Sequence, residues 1–415
     1  LRGESLIRTM KLVPTNIGQK SFLFLGIVIL FLNPFEKVVS HGTWDEQIQN
    51  KRAIKFPDTE YYKTLTLDPH THSVFSDGHV WPSIRVAEAQ RDGLDALAIT
   101  EHLEYQPHRA DILHPDRNRA FEEAKIAAMR SNLIVIHGSE ITRDAPAGHI
   151  NALFLEDSNK LLNVEEAPDD DRDVAGFYEE AKKWPAQEAV DAAHRQGAFM
   201  FWNHPYWTRQ SPDGIARMND FHRKNAEGGK LHGIEVANGD TYSEEAFAIA
   251  LKYNLAVIGV SDVHNLIDWD YDATIGAHRP VTLVFSKNRS QEGIKEALFD
   301  RRTVVWFKNL LIGREKDLTP LLAASLNVSK FSYQNNTNVA SVKITNRSDA
   351  TFKLRYKGPL SFMGSDDRID VPANTDISIS IKTEKRLNAL DLEFEVENAL
   401  IGPGKYISYT LRAKA

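Results

Sequence analysis

The segment PHTHSVFSDG at residues 69–78 gathers three side chains able to bind a divalent cation. His70 and His72 are two apart, so in an extended segment both imidazoles project from one side and can grip one ion. Asp77, in the turn before Gly78, adds a hard oxygen donor. Alone the pair is a weak signal, because surface histidines fall into this spacing by chance. Further runs strengthen it: LDALAIT leads into Glu101-His102, LIVIHGSEIT carries Glu140, GHINALF carries His149, WNHP carries His204, and GVSDVH ends in Asp262 and His264, again two apart. A carboxylate such as Glu140 can bridge two cations, whereas a neutral imidazole has one lone pair to offer. Singly, each of these histidines reads equally well as a packed side chain. Together, placed at the ends of apolar runs, they read as a metal cluster where barrel active sites collect their ligands.

Composition narrows the chemistry. The chain has no cysteine, which excludes disulfide scaffolds, thiolate metal sites and cysteine nucleophiles, so any metal is held by His, Asp and Glu. Apolar residues at 42% and charged residues at 26% fit a globular protein. At 415 residues, one large domain plus a smaller one is expected. The formal charge is -7, and without residues 1–40 there remain 45 basic against 55 acidic residues, a balance that disfavours general nucleic-acid binding.

Lys11 and Lys20 precede the apolar run SFLFLGIVILFL at 21–32, which is short for a membrane span and reads as a signal peptide. Val38 and Ser40 suit the cleavage positions, so the mature chain is expected to begin near His41, with residues 41–61 as an N-terminal extension. The alternative is an uncleaved anchor helix; a lipoprotein anchor is excluded by the lack of cysteine. An exported protein, periplasmic or secreted, with no stable membrane anchor after processing, is the resulting expectation.

The elements that must position the candidate ligands follow one grammar from about residue 62: a short apolar run, a ligand-type residue, a loop and an amphipathic helix. Seven such runs, several continuously apolar, suggest a distorted barrel covered by helices. Helices are expected at 82–93, 121–132, 185–197 and 291–302. After about residue 315 the runs ASVKITN, FKLRYKG, DISISIKT, LEFEVEN and KYISYTLRAK alternate apolar and polar residues between turn signals, as in a small antiparallel β-sandwich. That region contains no histidine, so the chemistry is expected before it.

The ordered set PHTHSVFSDG, ALAITEH, GSEI, GHINAL, NHP, GIEV and GVSDVH resembles the PHP (polymerase and histidinol phosphatase) family across residues 62–315. The family has TDH where this chain has TEH, which makes Glu101 an outer partner and leaves His102 as the ligand. The resemblance implies an α/β fold, a distorted (β/α)7 barrel over 62–315 followed by the β-sandwich at 316–415. It also implies a metal-dependent phosphoesterase with a trinuclear site of Zn, Mn or Fe, all suited to imidazole and carboxylate. The implied partition gives one ion His70, His72, Glu140 and Asp262; a second Glu140, His149 and His204; and a third Asp77, His102 and His264. Hydrolysis is then expected from a metal-bridging hydroxide at Glu140 and Asp262, without a protein nucleophile. Arg143, three residues after Glu140, and His278-Arg279 are the expected phosphate anchors. His79 and His108 could serve as outer groups; His137 and His194 default to packing or surface roles. The expected partner is a small phosphorylated substrate, monoester or diester; oligomeric state is not legible. Hydrolysis of a C–N or C–O bond, or metal-dependent binding without turnover, are the rival readings.

Overall fold

The apolar runs become strands because both of their faces are covered. A computed structural model describes residues 53–415 apart from 113–115, 171 and 365. The apolar run at 21–32 and the cleavage position near His41 lie outside the described residues. Strands β1 (Lys63–Asp68), β2 (Ala96–Ile99), β3 (Ile134–Thr142), β4 (His149–Leu153), β5 (Phe199–Trp202), β6 (Gly233–Asn238), the short β7 (Thr241–Tyr242) and β8 (Ala256–Val260) carry the expected runs. β2, β5 and β8 are buried at every position.

Helices α1 (Pro82–Arg91), α2 (Arg119–Ala128), α3 (Val174–Ala181), α4 (Ala186–Arg195), α5 (Asp220–Glu227), α6 (Glu244–Lys252) and the short α7 (Ile267–Asp270) lie between or after these strands. α8 (Gln291–Phe299) follows β9 (Val281–Ser286). Asp173, Asn219, Ser243 and Ser290 start α3, α5, α6 and α8, each accepting from the backbone N–H three residues on.

The sheet is parallel-rich but mixed. β1–β2, β2–β3, β5–β6 and β6–β8 pair in parallel, whereas β3–β4 and β4–β5 are antiparallel. On the other side of β1, β9, β10 (Thr303–Phe307) and β11 (Leu310–Gly313) follow in antiparallel order. The closed barrel read from the sequence is therefore not what the hydrogen bonds give. β9 takes the free edge of β1, so β8, laddered to β6 on one edge, is joined on the other by isolated contacts. The Thr282 hydroxyl accepts from Gly259 N and donates to Gly259 O, both at 2.9 Å, and an isolated bridge joins Thr71 to Val263. The sheet is not closed.

The C-terminal strands are β12 (Leu326–Val328), β13 (Ser332–Tyr333), β14 (Val339–Asn346), β15 (Phe352–Tyr356), β16 (Ser361–Met363), β17 (Arg368–Val371), β18 (Asp376–Lys382), β19 (Ala389–Gly402) and β20 (Lys405–Lys414). One sheet runs β12-β14-β18-β16, with β13 against β14; β17, β15, β19 and β20 form a second set. Apolar positions alternate along β14 and β19, and the buried residues of both sets meet in one core. That core does not stop at residue 315. β19 pairs in parallel with β11, Leu311 opposite Ala399 and Ile312 opposite Leu400. The expected boundary at 315/316 falls on α9 (Glu315–Ser325), whose Leu318, Leu321 and Leu322 are buried with Val304, Trp306, Phe352 and Phe394. Among the described residues no helix is long and apolar enough to cross a membrane.

Candidate metal centre

Backbone pairing just beyond the strand ends brings the two period-two pairs together. Asp262 N donates to His70 O (3.0 Å) and His72 N to Val263 O (3.1 Å), so the segment after β8 runs alongside the extension of β1. An isolated bridge places His102 beside Glu140 in β3. His149 opens β4 opposite Thr142, and His204 follows β5. Asp77 sits in a turn closed by Gly78 N donating to Ser73 O (2.9 Å). A Cβ on Gly78 would lie 2.7 Å from Ser73 N, so only glycine lets the turn fold this tightly. His204 (φ 28°) and Asp262 (φ 52°) hold left-handed backbone, uncommon for non-glycine residues and concentrated at functional sites.

The donor atoms converge. His70 Nε2 lies 2.9 Å from His72 Nε2, 3.2 Å from Asp262 Oδ1 and 3.5 Å from Glu140 Oε1. His72 Nε2 lies 3.1 Å from Asp262 Oδ1 and 3.7 Å from Glu140 Oε2. Donors sharing a tetrahedral ion at about 2.1 Å sit roughly 3.4 Å from one another, which is the spacing of this set. Glu140 Oε1 is also 3.0 Å from His149 Nδ1 and 3.6 Å from His204 Nε2. Asp77 faces His102 Nε2 at 3.3 Å and His264 Nε2 at 3.1 Å. The geometry also turns His72 Nδ1 toward Asp77 (3.8 Å) and His102 Nδ1 toward Glu140 (2.5 Å), so these two rings stand between neighbouring donor groups. The groups His70-His72-Glu140, His72-Asp77-His102-His264 and His102-Glu140-His149 could each hold an ion.

Electrostatics agree with a site for cations. Burial alone would lower His70 and His102, yet neighbouring carboxylates push both well above the ordinary histidine value. His72 goes the other way, to about 3, through burial and the charges of His264 and His102. Burial opposes ionisation of Glu140, but His102, His149 and His70 hold it well below the usual carboxylate range. Asp77 Oδ1 and Asp262 Oδ1 are buried and face imidazole nitrogens without a hydrogen bond to satisfy them. A divalent cation satisfies such oxygens, so the donor set fits metal.

Comparison with known proteins agrees. The crystal structure of a two-domain protein from Bacteroides vulgatus, containing a predicted PHP-like metal-dependent phosphoesterase, is 40% identical; the match covers 87% of this chain and 98% of that one, with a TM-score of 0.76. The chain belongs to the PHP-like phosphoesterase family. A metal-dependent phosphoesterase structure from Bifidobacterium adolescentis, itself assigned only provisionally, matches at 20% identity over 48% of this chain and 87% of that one, and its TM-score of 0.34 adds no argument. Residues 326–412 match an Ig-like domain model. No curated protein matches.

The PHP-like centre has partners that the sequence did not single out. Glu235, on β6 and fully buried, accepts from His70 Nδ1 (2.7 Å), from His204 N (2.6 Å) and from Asn238 Nδ2 (2.9 Å). It fixes the His70 tautomer that turns Nε2 toward the cluster. The same Asn238 amide donates to Asp262 Oδ2 (3.0 Å), and Asn203 Nδ2 donates to Glu140 Oε1 (2.7 Å). Glu101 is the outer partner the sequence indicated, accepting from the hydroxyls of Ser73 and Ser76 in the Asp77 turn. Glu235→Gln keeps the shape but turns the His70 partner into a weaker acceptor. Metal affinity by titration should fall about 10- to 100-fold with the fold intact; unchanged affinity would show that Glu235 only packs.

The expected phosphate anchors are not at the PHP-like centre. Arg143 is buried and paired with Glu104, and its guanidinium donates to Thr142 O (3.0 Å) and Trp184 O (2.9 Å). Arg279, also buried, donates to Asp92 (2.7 and 2.9 Å) and Asp68 (3.1 Å). Asp68 in turn accepts from Ser261 N and Oγ, beside Asp262, so Arg279 supports the β8 loop instead of facing a ligand. His278 stacks on Trp306 with ring centroids 3.5 Å apart. His137 accepts its packing role, stacked on Phe121 (4.5 Å). The cavity over the cluster, about 610 Å³, is lined by the candidate ligands Asp77, His102, Glu140, His149, His204, Asp262 and His264 and by side chains of the loops after β5 and β6.

Proposed function

We propose that the chain hydrolyses phosphate esters at a site of three divalent ions, Zn, Mn or Fe. One is held by His70, His72, Glu140 and Asp262, one by Glu140, His149 and His204, and one by Asp77, His102 and His264. The observation that carries this reading is the convergence of Asp77, His102, Glu140, His149, His204, Asp262 and His264 on one cavity, with His70 and His72 against Glu140 and Asp262 and with buried Asp77 and Asp262 oxygens lacking a hydrogen bond. Divalent ions there lower the pKa of water toward neutrality and neutralise phosphoryl charge. The chain's own residues orient them: Glu235 fixes His70, Asn203 and Asn238 hold Glu140 and Asp262, and Glu101 pins the turn of Asp77. Glu140 and Asp262 stand at the centre of this arrangement and carry the catalytic role. No Lys or Arg side chain is among the described cavity-lining residues, so phosphate charge is left to the ions.

A panel of phosphomonoesters, phosphodiesters, carboxylic esters and amides tests the reading. Cleavage of P–O bonds is expected, and turnover confined to amides or carboxylic esters would replace it with the C–N or C–O alternative. Absence of turnover together with tight metal binding would favour a binding protein. The same proposal places the mature chain outside the cytoplasm, beginning near His41. A chain starting at His41 keeps the buried Ile54 and Phe56, and should be soluble and fully active; an insoluble or inactive product would count against the signal-peptide reading.

A further inference from the structure

We infer, resting on the phosphoesterase reading above, that the leaving group of the natural ester is neutral and polyhydroxylated, in the manner of a sugar or other polyol. The cavity is walled beside the cluster by the loop after β5, with Tyr206, Trp207 and Thr208, and by the β6–β7 turn, with Asp240 and with Thr241 at the start of β7. Tyr206 Oη donates to Thr241 O (3.3 Å), so the two segments form one wall. Trp207 stands edge-on to His149 and His204, ring centroids 5.4 and 5.3 Å away, and is 37% exposed. A group bonded to a phosphate at the cluster therefore leaves past an indole.

Charge along this wall selects against ions of either sign. Among the described lining residues Asp240 is the charged side chain outside the ligand set, and no Lys or Arg accompanies it to receive a second anion. A cationic leaving group gains little from Asp240, because two cations lie close to the wall, outside the cavity lining and already engaged with it. Arg209 lies over the Trp207 ring at 5.3 Å, and Lys308 Nζ donates to Asp240 O at 2.8 Å. What remains is hydrogen-bonding chemistry: the Asp240 carboxylate, which accepts from Thr241 Oγ1 (3.0 Å), with the Thr208 hydroxyl and an aromatic surface. A carboxylate and hydroxyls beside an indole suit vicinal hydroxyl groups carried on an apolar C–H face. In the reaction, water oxygen bonds to phosphorus, the P–O bond to the polyol breaks, and the departing oxygen leaves with a proton from that water as the free polyol.

The test compares kcat/KM of the metal-loaded full chain on glucose phosphate, phenyl phosphate, phosphocholine and phosphoglycerate. Glucose phosphate is expected to exceed each of the others by roughly 10-fold or more, since a hydrogen bond to a charged group is worth about that much. Asp240→Ala should lower the ratio of glucose phosphate to phenyl phosphate by roughly 10- to 100-fold, and Trp207→Ala should lower it in the same direction. Unchanged metal content and melting temperature in both variants separate this from misfolding. Hydrolysis of all four esters with no preference, or a preference for the choline or glycerate ester, would overturn the inference while sparing the phosphoesterase reading. Hydrolysis of none of these four monoesters would overturn the inference, and a further lack of phosphodiester cleavage would overturn the phosphoesterase reading as well.

Discussion

Glu140→Ala should release metal from two of the three proposed positions and lower phosphate-ester hydrolysis on the order of 10³-fold or more, because several kcal/mol of transition-state stabilisation depend on those ions. Glu140 is fully buried, and its two oxygens face His70, His72, His102, His149 and His204 at 2.5 to 3.7 Å. Only a carboxylate at that point can bridge two ions. His149→Ala, which touches one proposed position, should lose about half as much metal. Metal per chain by elemental analysis distinguishes the two. Equal loss in both variants would remove Glu140 from the bridging role.

Arg143→Ala should destabilise the fold by about 3–5 kcal/mol, because it leaves Glu104 buried without its charge partner. Glu104 is fully buried, pairs with Arg143 and accepts from Thr142 N (2.6 Å), and the Thr142 hydroxyl lies 2.7 Å from His102 Nδ1. The damage therefore begins in the support of β3 and reaches the cluster second. Denaturant unfolding measures it. Wild-type stability combined with a large loss in kcat/KM would instead return Arg143 to the phosphate-anchor role that its sequence position suggested.

That misplacement of Arg143 has a simple cause. An offset of three along an extended strand turns side chains to opposite faces, so nearness to Glu140 in sequence was no guide to nearness in space. The same rule made His70-His72 and Asp262-His264 legible, since an offset of two keeps both side chains on one face. Glu235 was quoted within GIEV but given no role, because a single carboxylate inside an apolar strand has no spacing partner, and only its buried contacts with His70 and His204 reveal what it does. The strands themselves were legible from β-branched and aromatic runs, but their directions were not. A strand covered on both faces reads alike whether its neighbour is parallel or antiparallel. Hence β4, β9 and β10 could not be oriented from sequence, and the antiparallel β9 that occupies the edge of β1 left the expected barrel unclosed. The continuity of β11 with β19 was hidden for a related reason: alternation marks a strand but does not name its partner.

The most direct test of the account is phosphate release from one sample of the purified chain, assayed as isolated, after chelation and dialysis, and after return of Zn, Mn or Fe. The donor set predicts that hydrolysis disappears with the metal and returns with at least one of the three ions, while the fold persists through the cycle. Undiminished phosphate release from the metal-free chain would contradict a metal-dependent phosphoesterase at this site.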